Sequence, residues 1–145
     1  MTFVQELLRG KPAEVWTISP GETVYRALEL LAEKNIGALP VVEDGQLVGM
    51  LSERDYARKV ILKNRSSRAT TVGELMTSPV TYVSPTATLD TCMALMTQRH
   101  VRHLPVMDEG QLVGMISIGD VLKATIANQE VLINDLQNYI VGARA

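Results

Sequence analysis

One stretch of this chain occurs twice, and it constrains the fold more than any other feature. LPVVEDGQLVGMLSERD occupies residues 39–55, and LPVMDEGQLVGMISIGD occupies residues 104–120. The offset is constant at 65 with no gap (104 − 39 = 65 and 120 − 55 = 65). Leu-Pro-Val, Gly-Gln-Leu-Val-Gly-Met and Ser-x-x-Asp recur in register. The chain is therefore two halves of one object, and both halves have to satisfy the same local geometry.

That geometry can be read piece by piece. Residues 15–18 and 80–83 are short and extended, and each is followed by Ser-Pro, at Ser19-Pro20 and Ser84-Pro85. Proline drives the residue before it out of the α region, which ends the strand. Thr23 and Thr88 then precede helices. Val24, Ala27, Leu28, Leu31 and Ala32 form the apolar stripe of one, and Leu89, Cys92, Met93 and Met96 that of the other. The first helix is expected to stop near Asn35-Ile36-Gly37. Residues 38–42 then turn at Asp44-Gly45 into residues 46–51, a strong hairpin signal because glycine accepts the positive φ of the turn. Glu109-Gly110 repeats the device less ideally.

Gly49 and Gly114 lie inside the second strand of each hairpin, where glycine marks a bulge or a close approach by another group. After Ser52 and Ser117 the pattern turns helical. Tyr56, Val60 and Ile61 share one face, and so do Val121, Leu122, Thr125 and Ile126. A short helix opens each half, at residues 4–8 and 72–76, and Thr71 with Glu74 fits a capping box. Here the offset is 68, so the first half carries three extra residues around Gly10-Lys11-Pro12.

Each half thus reads as strand, helix, strand, strand, helix. A three-stranded sheet with one covered face is marginal alone. Two such units can close over each other's apolar faces, which explains the tandem. The expected organisation is a first repeat over residues 1–70 including the opening helix and linker, a second over 71–129, and a helical extension over 130–145. Residues 63–68 read as a solvated basic linker. In the extension, Ile133, Leu136, Tyr139 and Ile140 line one side at helical spacing. That stripe can pack on its own module or on a second copy of the chain.

Bulk properties exclude several classes. At 145 residues one compact domain is expected, and net charge −2 offers nothing to wrap a nucleic-acid backbone. Aromatics at 4% are too few for a base-stacking platform. A single cysteine, Cys92, rules out an internal disulfide and suits a reducing compartment. The first ten residues do not read as a secretion signal, and no apolar run reaches the roughly twenty residues of a membrane span. The expected location is the cytoplasm.

The chemistry-bearing residues are few. Ser52 and Asp55, and equally Ser117 and Asp120, sit where a strand becomes a helix. One use is a capping box, with the aspartate favoured by the helix dipole. The other is ligand binding: helix-start amides attract phosphate, and a carboxylate suits the paired hydroxyls of a ribose. The two uses are not exclusive. Arg99-His100-Val101-Arg102-His103 forms a basic cluster before the second Leu-Pro-Val, whereas Lys34-Asn35-Ile36-Gly37-Ala38 holds one cation. Arginine can fork onto phosphate, and histidine near its reference pKa of about 6.5 carries some charge near neutrality. Arg54 lies beside Asp55 where the second half has Gly119. No Walker loop, nucleophile elbow, dinucleotide fingerprint or metalloprotease motif occurs, so no enzyme and no metal site is expected.

With these residues in view, the chain resembles a tandem pair of cystathionine-β-synthase (CBS) domains, the Bateman module, of the stand-alone bacterial type. The motifs are Leu39-Pro40-Val41, Gly49 and Ser52-x-x-Asp55, then Leu104-Pro105-Val106, Gly114 and Ser117-x-x-Asp120. The resemblance spans roughly residues 4–127. It implies an α/β fold of the α+β kind: two β-α-β-β-α repeats about a pseudo-twofold axis, each with a small three-stranded sheet and two helices.

It further implies a non-catalytic regulatory module whose clefts bind an adenosine-containing ligand: AMP, ADP, ATP, NAD(H) or S-adenosylmethionine. Asp55 and Asp120 would hold ribose hydroxyls, with Ser52 and Ser117 near phosphate. Adenine would lie against Ile18, Ile36, Ala38, Pro40 and Met50 in one cleft, flanked by Thr17, Gly37 and Leu39. In the other it would meet Val83, Val101, His103, Pro105 and Met115, flanked by Tyr82 and Leu104. Arg102 and His103 would reach a phosphate held by the first repeat, and Arg54 would serve the cleft of the second. The family also implies a homodimer acting on an effector protein. The alternative is an interaction module with vestigial clefts.

Overall fold

The computed structural model describes the backbone of residues 1–144 and the side chains of residues 1–140. Ala145, the last residue of the expected extension, lies outside the described residues.

Both hairpins form, in the same register. Strand β1 (Ala38–Glu43) pairs antiparallel with β2 (Gln46–Ser52), and β3 (His103–Asp108) with β4 (Gln111–Ser117). Ala38 faces Ser52 and His103 faces Ser117. Asp44 and Gly45 take φ of 50° and 77°, and Glu109 and Gly110 take 50° and 78°. Both turns therefore have positive φ at both central residues, as a twisted two-residue hairpin requires. Glutamate follows aspartate into the same turn because glycine supplies the second position. Each ladder slips by one residue, after Val41 and after Val106, leaving a bulge beside Gly49 and Gly114.

The expected third strand of each sheet is corrected by the structure: the sheets are two-stranded. Ile18 makes one parallel bridge to Val41, and Val83 one to Val106. Ile18 N–H donates to Pro40 O at 3.1 Å, and Val42 N–H to Ile18 O at 2.9 Å. Extending this ladder one way needs an N–H on Pro40, and the other way one on Pro20. Neither exists. Pro105 and Pro85 stop the second ladder in the same manner. The two prolines that mark each motif are what shorten its third strand.

Helices α2 (Val24–Lys34) and α5 (Leu89–Arg99) start at Thr23 and Thr88, whose hydroxyls accept from Arg26 N–H and Thr91 N–H. They end on Asn35 and His100, both left-handed. Val24, Ala27 and Leu31 are buried, as are Leu89, Cys92 and Met96. Ala32 and Met93, expected on these stripes, face outward at their edges. After α3 (Glu53–Tyr56) the helix widens into a π-turn over Ala57–Ile61. The extra residue per turn keeps Val60 in the core and rotates Ile61 to solvent. On the last helix, α6 (Ile118–Arg144), Val121 is buried while Leu122 and Ile126 are exposed.

The cores do not follow chain order. The short helix α4 (Val72–Leu75), which opens the second half, packs on the hairpin of the first, and Val72 and Leu75 join its core with Leu39, Val41 and Leu51. The first helix, α1 (Val4–Arg9), instead packs on β4, and Val4 joins the core of Leu104, Val106, Ile116 and Val121. The strand glycines admit these crossings. A Cβ on Gly49 would stand 2.4 Å from the Met76 sulfur, and one on Gly114 2.5 Å from a Leu8 methyl. Each half thus lends its opening segment to the other, and the surface between the halves becomes a place where residues from both converge.

Helix α6 runs 27 residues, about 40 Å at 1.5 Å per residue. Ile133, Leu136, Tyr139 and Ile140 are all more than half exposed, so the stripe does not pack on its own module. Among the described residues no helix is long and apolar enough to cross a membrane.

Candidate functional site

Two cavities open between the halves. The first, about 560 Å³, begins at the end of β2. Ser52 caps α3: its hydroxyl accepts from Asp55 N–H at 3.1 Å, while Asp55 Oδ2 accepts from Ser52 N–H at 3.0 Å and from the Ser52 hydroxyl at 3.0 Å. The capping reading of Ser-x-x-Asp is correct, and it leaves half of the carboxylate. Asp55 Oδ1 has only a long bond from the Thr77 hydroxyl, 3.4 Å, and an ion pair with Lys59 at 3.5 Å. Ala38 and Met50 form part of the adjoining wall, with the segment around Pro79 and Thr81.

The opposite wall is the basic connection between α5 and β3. Arg99, Val101, Arg102 and His103 all line this cavity. Two backbone bonds hold the connections at matching places: Glu53 N–H donates to Gly37 O at 3.0 Å, and Ile118 N–H to Arg102 O at 2.8 Å. Arg54 spans the halves, its Nη1 donating to His100 O at 3.4 Å. Arg58 and Lys59, on the turn after α3, complete a rim of five Lys and Arg side chains against Glu53 and Asp55.

The second cavity, about 450 Å³, is built differently. Met115 and Ser117 line one wall, Ile36 and Lys34 another, and residues 11–16 run along a third. Ser117 repeats the cap: its hydroxyl accepts from Asp120 N–H at 3.1 Å, and Asp120 Oδ2 accepts from Ser117 N–H at 2.8 Å. Here, however, Lys11 Nζ donates to Asp120 Oδ2 at 2.7 Å and to Met115 O at 2.8 Å. Burial pushes the Asp120 carboxyl up, but the Lys11 and Ser117 hydrogen bonds outweigh it, and the group ends below the usual range. The Lys34 ammonium lies 4.0 Å from the centre of the Trp16 ring.

Gly37, Ala38 and His103 line both cavities and form the partition between them. Burial, with help from Lys11, holds the His103 pKa below the ordinary imidazole value. The lowered value disfavours the charged form of His103, which the sequence left possible. Burial also pushes the Cys92 thiol up, which keeps it protonated and inert. No cluster of three His, Cys, Asp or Glu side chains occurs among the described residues.

The structure sorts the candidate residues in its own way. Gly37, Ala38, Met50, Ser52, Arg54 and Asp55 meet Val101, Arg102 and His103 at the first cavity. Ile36, expected with Met50, lies instead with Met115 and Ser117. Val101, expected with Met115, lies with Met50. Arg54 lines its own repeat's cavity, not that of the second repeat.

Ile18, Leu39, Pro40, Val83, Leu104 and Pro105 are buried outside both linings, and Thr17 and Tyr82 are exposed outside them. Asp120 lies behind Lys11 and lines neither. Lys11, Trp16, Lys59 and Thr77 were not picked out from sequence. The one trace of Lys11 there is the three-residue surplus around it.

The CBS domain family matches the chain twice, over residues 7–62 and 72–127. The chain belongs to that family and is a tandem CBS pair, a regulatory module. It is 38% identical to the mitochondrial CBS domain-containing protein CBSX3 of Arabidopsis thaliana, over 92% of this chain and 68% of that protein. Among solved structures, a putative signal-transduction protein with CBS domains from Burkholderia ambifaria superposes with a TM-score of 0.85 at 51% identity, covering 88% and 96% of the two chains. The CBS domain pair of protein MJ0100, solved in complex with 5′-methylthioadenosine and S-adenosyl-L-methionine, has a TM-score of 0.75 at 23% identity, covering 88% and 98%. At that identity the likeness is one of fold.

Proposed function

We propose that this CBS pair is a non-catalytic sensor of an adenosine-containing ligand, bound in the clefts between its halves. AMP, ADP, ATP, NAD(H) and S-adenosylmethionine are the candidates, and an effector protein, acted on from the cytoplasm, reads the outcome. The carrying observation is the first cavity. It sets a carboxylate with one lightly engaged oxygen beside apolar Ala38, Met50 and Val101, and rings them with cations. A carboxylate suits a ribose diol, apolar side chains suit a base, and arginines suit phosphate. That the MJ0100 pair holds adenosine derivatives on the same fold supports the ligand class.

The test is calorimetric titration of the purified protein with each candidate. A saturable heat below the millimolar range for at least one supports the reading; silence for all of them ends it. Mass spectrometry of small molecules released from the protein would identify the ligand directly.

A second reading, self-association, is favoured by a separate observation: the exposed apolar side of α6, from Ile133 through Ile140. A homodimer through α6 would cover it. Light scattering on a chain ending at Gln129 checks this, since the dimer should fall to a monomer.

A further inference from the structure

The two cavities come from one repeated motif yet present different groups to a ligand. In the first, Asp55 lines the space, and one of its oxygens is left with contacts of 3.4 and 3.5 Å. In the second, Asp120 is outside the lining, and Lys11 stands in its place, bonded to it at 2.7 Å. The surroundings differ in charge as well. Arg54, Arg58, Lys59, Arg99 and Arg102 face Glu53 and Asp55 in the first. The second has only Lys11 and Lys34 with Glu14, and Asp120 neutralises Lys11 while Lys34 rests on Trp16.

The origin of the difference lies in the crossing segments. Where the chain passes Met50, Thr77 pairs with it by backbone alone: Met50 N–H to Thr77 O at 3.0 Å, and Thr77 N–H to Met50 O at 2.8 Å. Where it passes Met115, a side chain takes over, and the Lys11 ammonium satisfies Met115 O. Beside that bridge the Thr77 hydroxyl reaches Asp55 Oδ1 only at 3.4 Å, so the neighbouring aspartate is lightly engaged. An ammonium satisfies the carbonyl with one proton and has others for the carboxylate.

We infer that Lys11 determines ligand choice: by holding Asp120 it withdraws the second cavity from ribose binding and leaves the first as the single nucleotide site, one suited to a nucleoside polyphosphate. This rests on the adenosine-ligand reading above. A diol entering the second cavity meets the Lys11 ammonium in the lining, while Asp120 stands outside it with its Oδ2 held by Lys11 and Ser117. A ligand entering the first meets a lining carboxylate and a surplus of cations, which rewards each added phosphate.

The experiment is isothermal calorimetry with ADP and with adenosine on the wild-type chain and on Lys11→Met, Asp55→Asn and Lys11→Met/Asp120→Asn. Lys11→Gln, milder in shape, guards against a misfolded Lys11→Met, with thermal melts as the control. The wild type should bind one ADP per chain, about tenfold or more tighter than adenosine, and Asp55→Asn should lose it. Lys11→Met and Lys11→Gln should gain a second site that accepts adenosine, and the double variant should lose that gain. Two sites in the wild type, one site that survives Asp55→Asn, or no gain in folded Lys11 variants would each overturn the inference while leaving the adenosine reading intact. No binding of either ligand to any variant would overturn both.

Discussion

The halves of this protein share Leu-Pro-Val, Gly-Gln-Leu-Val-Gly-Met and Ser-x-x-Asp, and their hairpins share a register, yet their clefts differ. At the first, Asp55 caps its helix and still faces the cavity. At the second, Asp120 makes the same cap and is taken by Lys11. A repeated motif therefore guarantees repeated backbone and not repeated chemistry. Chemistry depends on what the crossing segment brings, and Thr77 and Lys11 are different groups.

The comparison predicts a ranked set of outcomes. The largest concerns ligand affinity. Asp55→Ala should weaken nucleotide binding by roughly 30- to 150-fold, the cost of about 2–3 kcal/mol for a lost charge-assisted pair. Serial calorimetry checks it, and Asp120→Ala in the wild-type background should cost far less.

Next comes packing at the two strand glycines. A Cβ on Gly49 meets the Met76 Cβ, Cγ and sulfur at 3.0, 2.8 and 2.4 Å, whereas one on Gly114 closely meets only Leu8 methyls, at 2.5 and 3.0 Å. Methyls at a side-chain tip can swing away; a Cβ moves only with its backbone. Gly49→Ala should destabilise by about 2–3 kcal/mol, the upper part of the overpacking range, and Gly114→Ala by about 1 kcal/mol. Urea unfolding of the two variants measures the difference, and equal costs would break the asymmetry.

Smaller still are the caps. Ser52→Ala and Ser117→Ala should each cost about 1 kcal/mol. Similar shifts in melting temperature are expected, because the two caps share one geometry.

The smallest effect is a pH dependence at the partition. His103 has a lowered pKa in the folded protein, so the unfolded chain binds its proton first as pH falls. Its contribution to stability is complete above the unfolded value of about 6.5 and declines as pH drops from there toward the folded value. Burial causes most of the shift; the neighbouring charges are Lys11 and Arg102, which lower it, and Asp120, which raises it. Melting temperature should fall modestly between pH 7.5 and 5.5, and less so in His103→Gln.

Much of this was legible in the residues because it is local. Asp44-Gly45, the caps at Thr23, Ser52, Thr71, Thr88 and Ser117, and the duplicated strand–helix order all depend on groups a few positions apart. Gly49 and Gly114 announced a bulge or a close approach, and both occur. The third strands are shorter than the sequence reading has them because Pro20 and Pro85, read there as strand ends, and Pro40 and Pro105, read there inside the neighbouring strand, are all missing donors. The resemblance groups Ile36 with Met50 and Val101 with Met115, whereas in the folded chain Ile36 lines the second cavity and Val101 the first.

Sequence alone was enough for the doubling, the turns, the caps and membership in the CBS family, since these rest on short-range bonds and motif identity. Folding in three dimensions settled which opening helix covers which hairpin and which cation meets which aspartate. Lys11 and Asp120 are 109 residues apart, and no periodicity or propensity links groups so distant. Only the packing of Leu8 over Gly114 brings that lysine to that carboxylate, and the same crossing makes two copies of one motif into two unlike clefts.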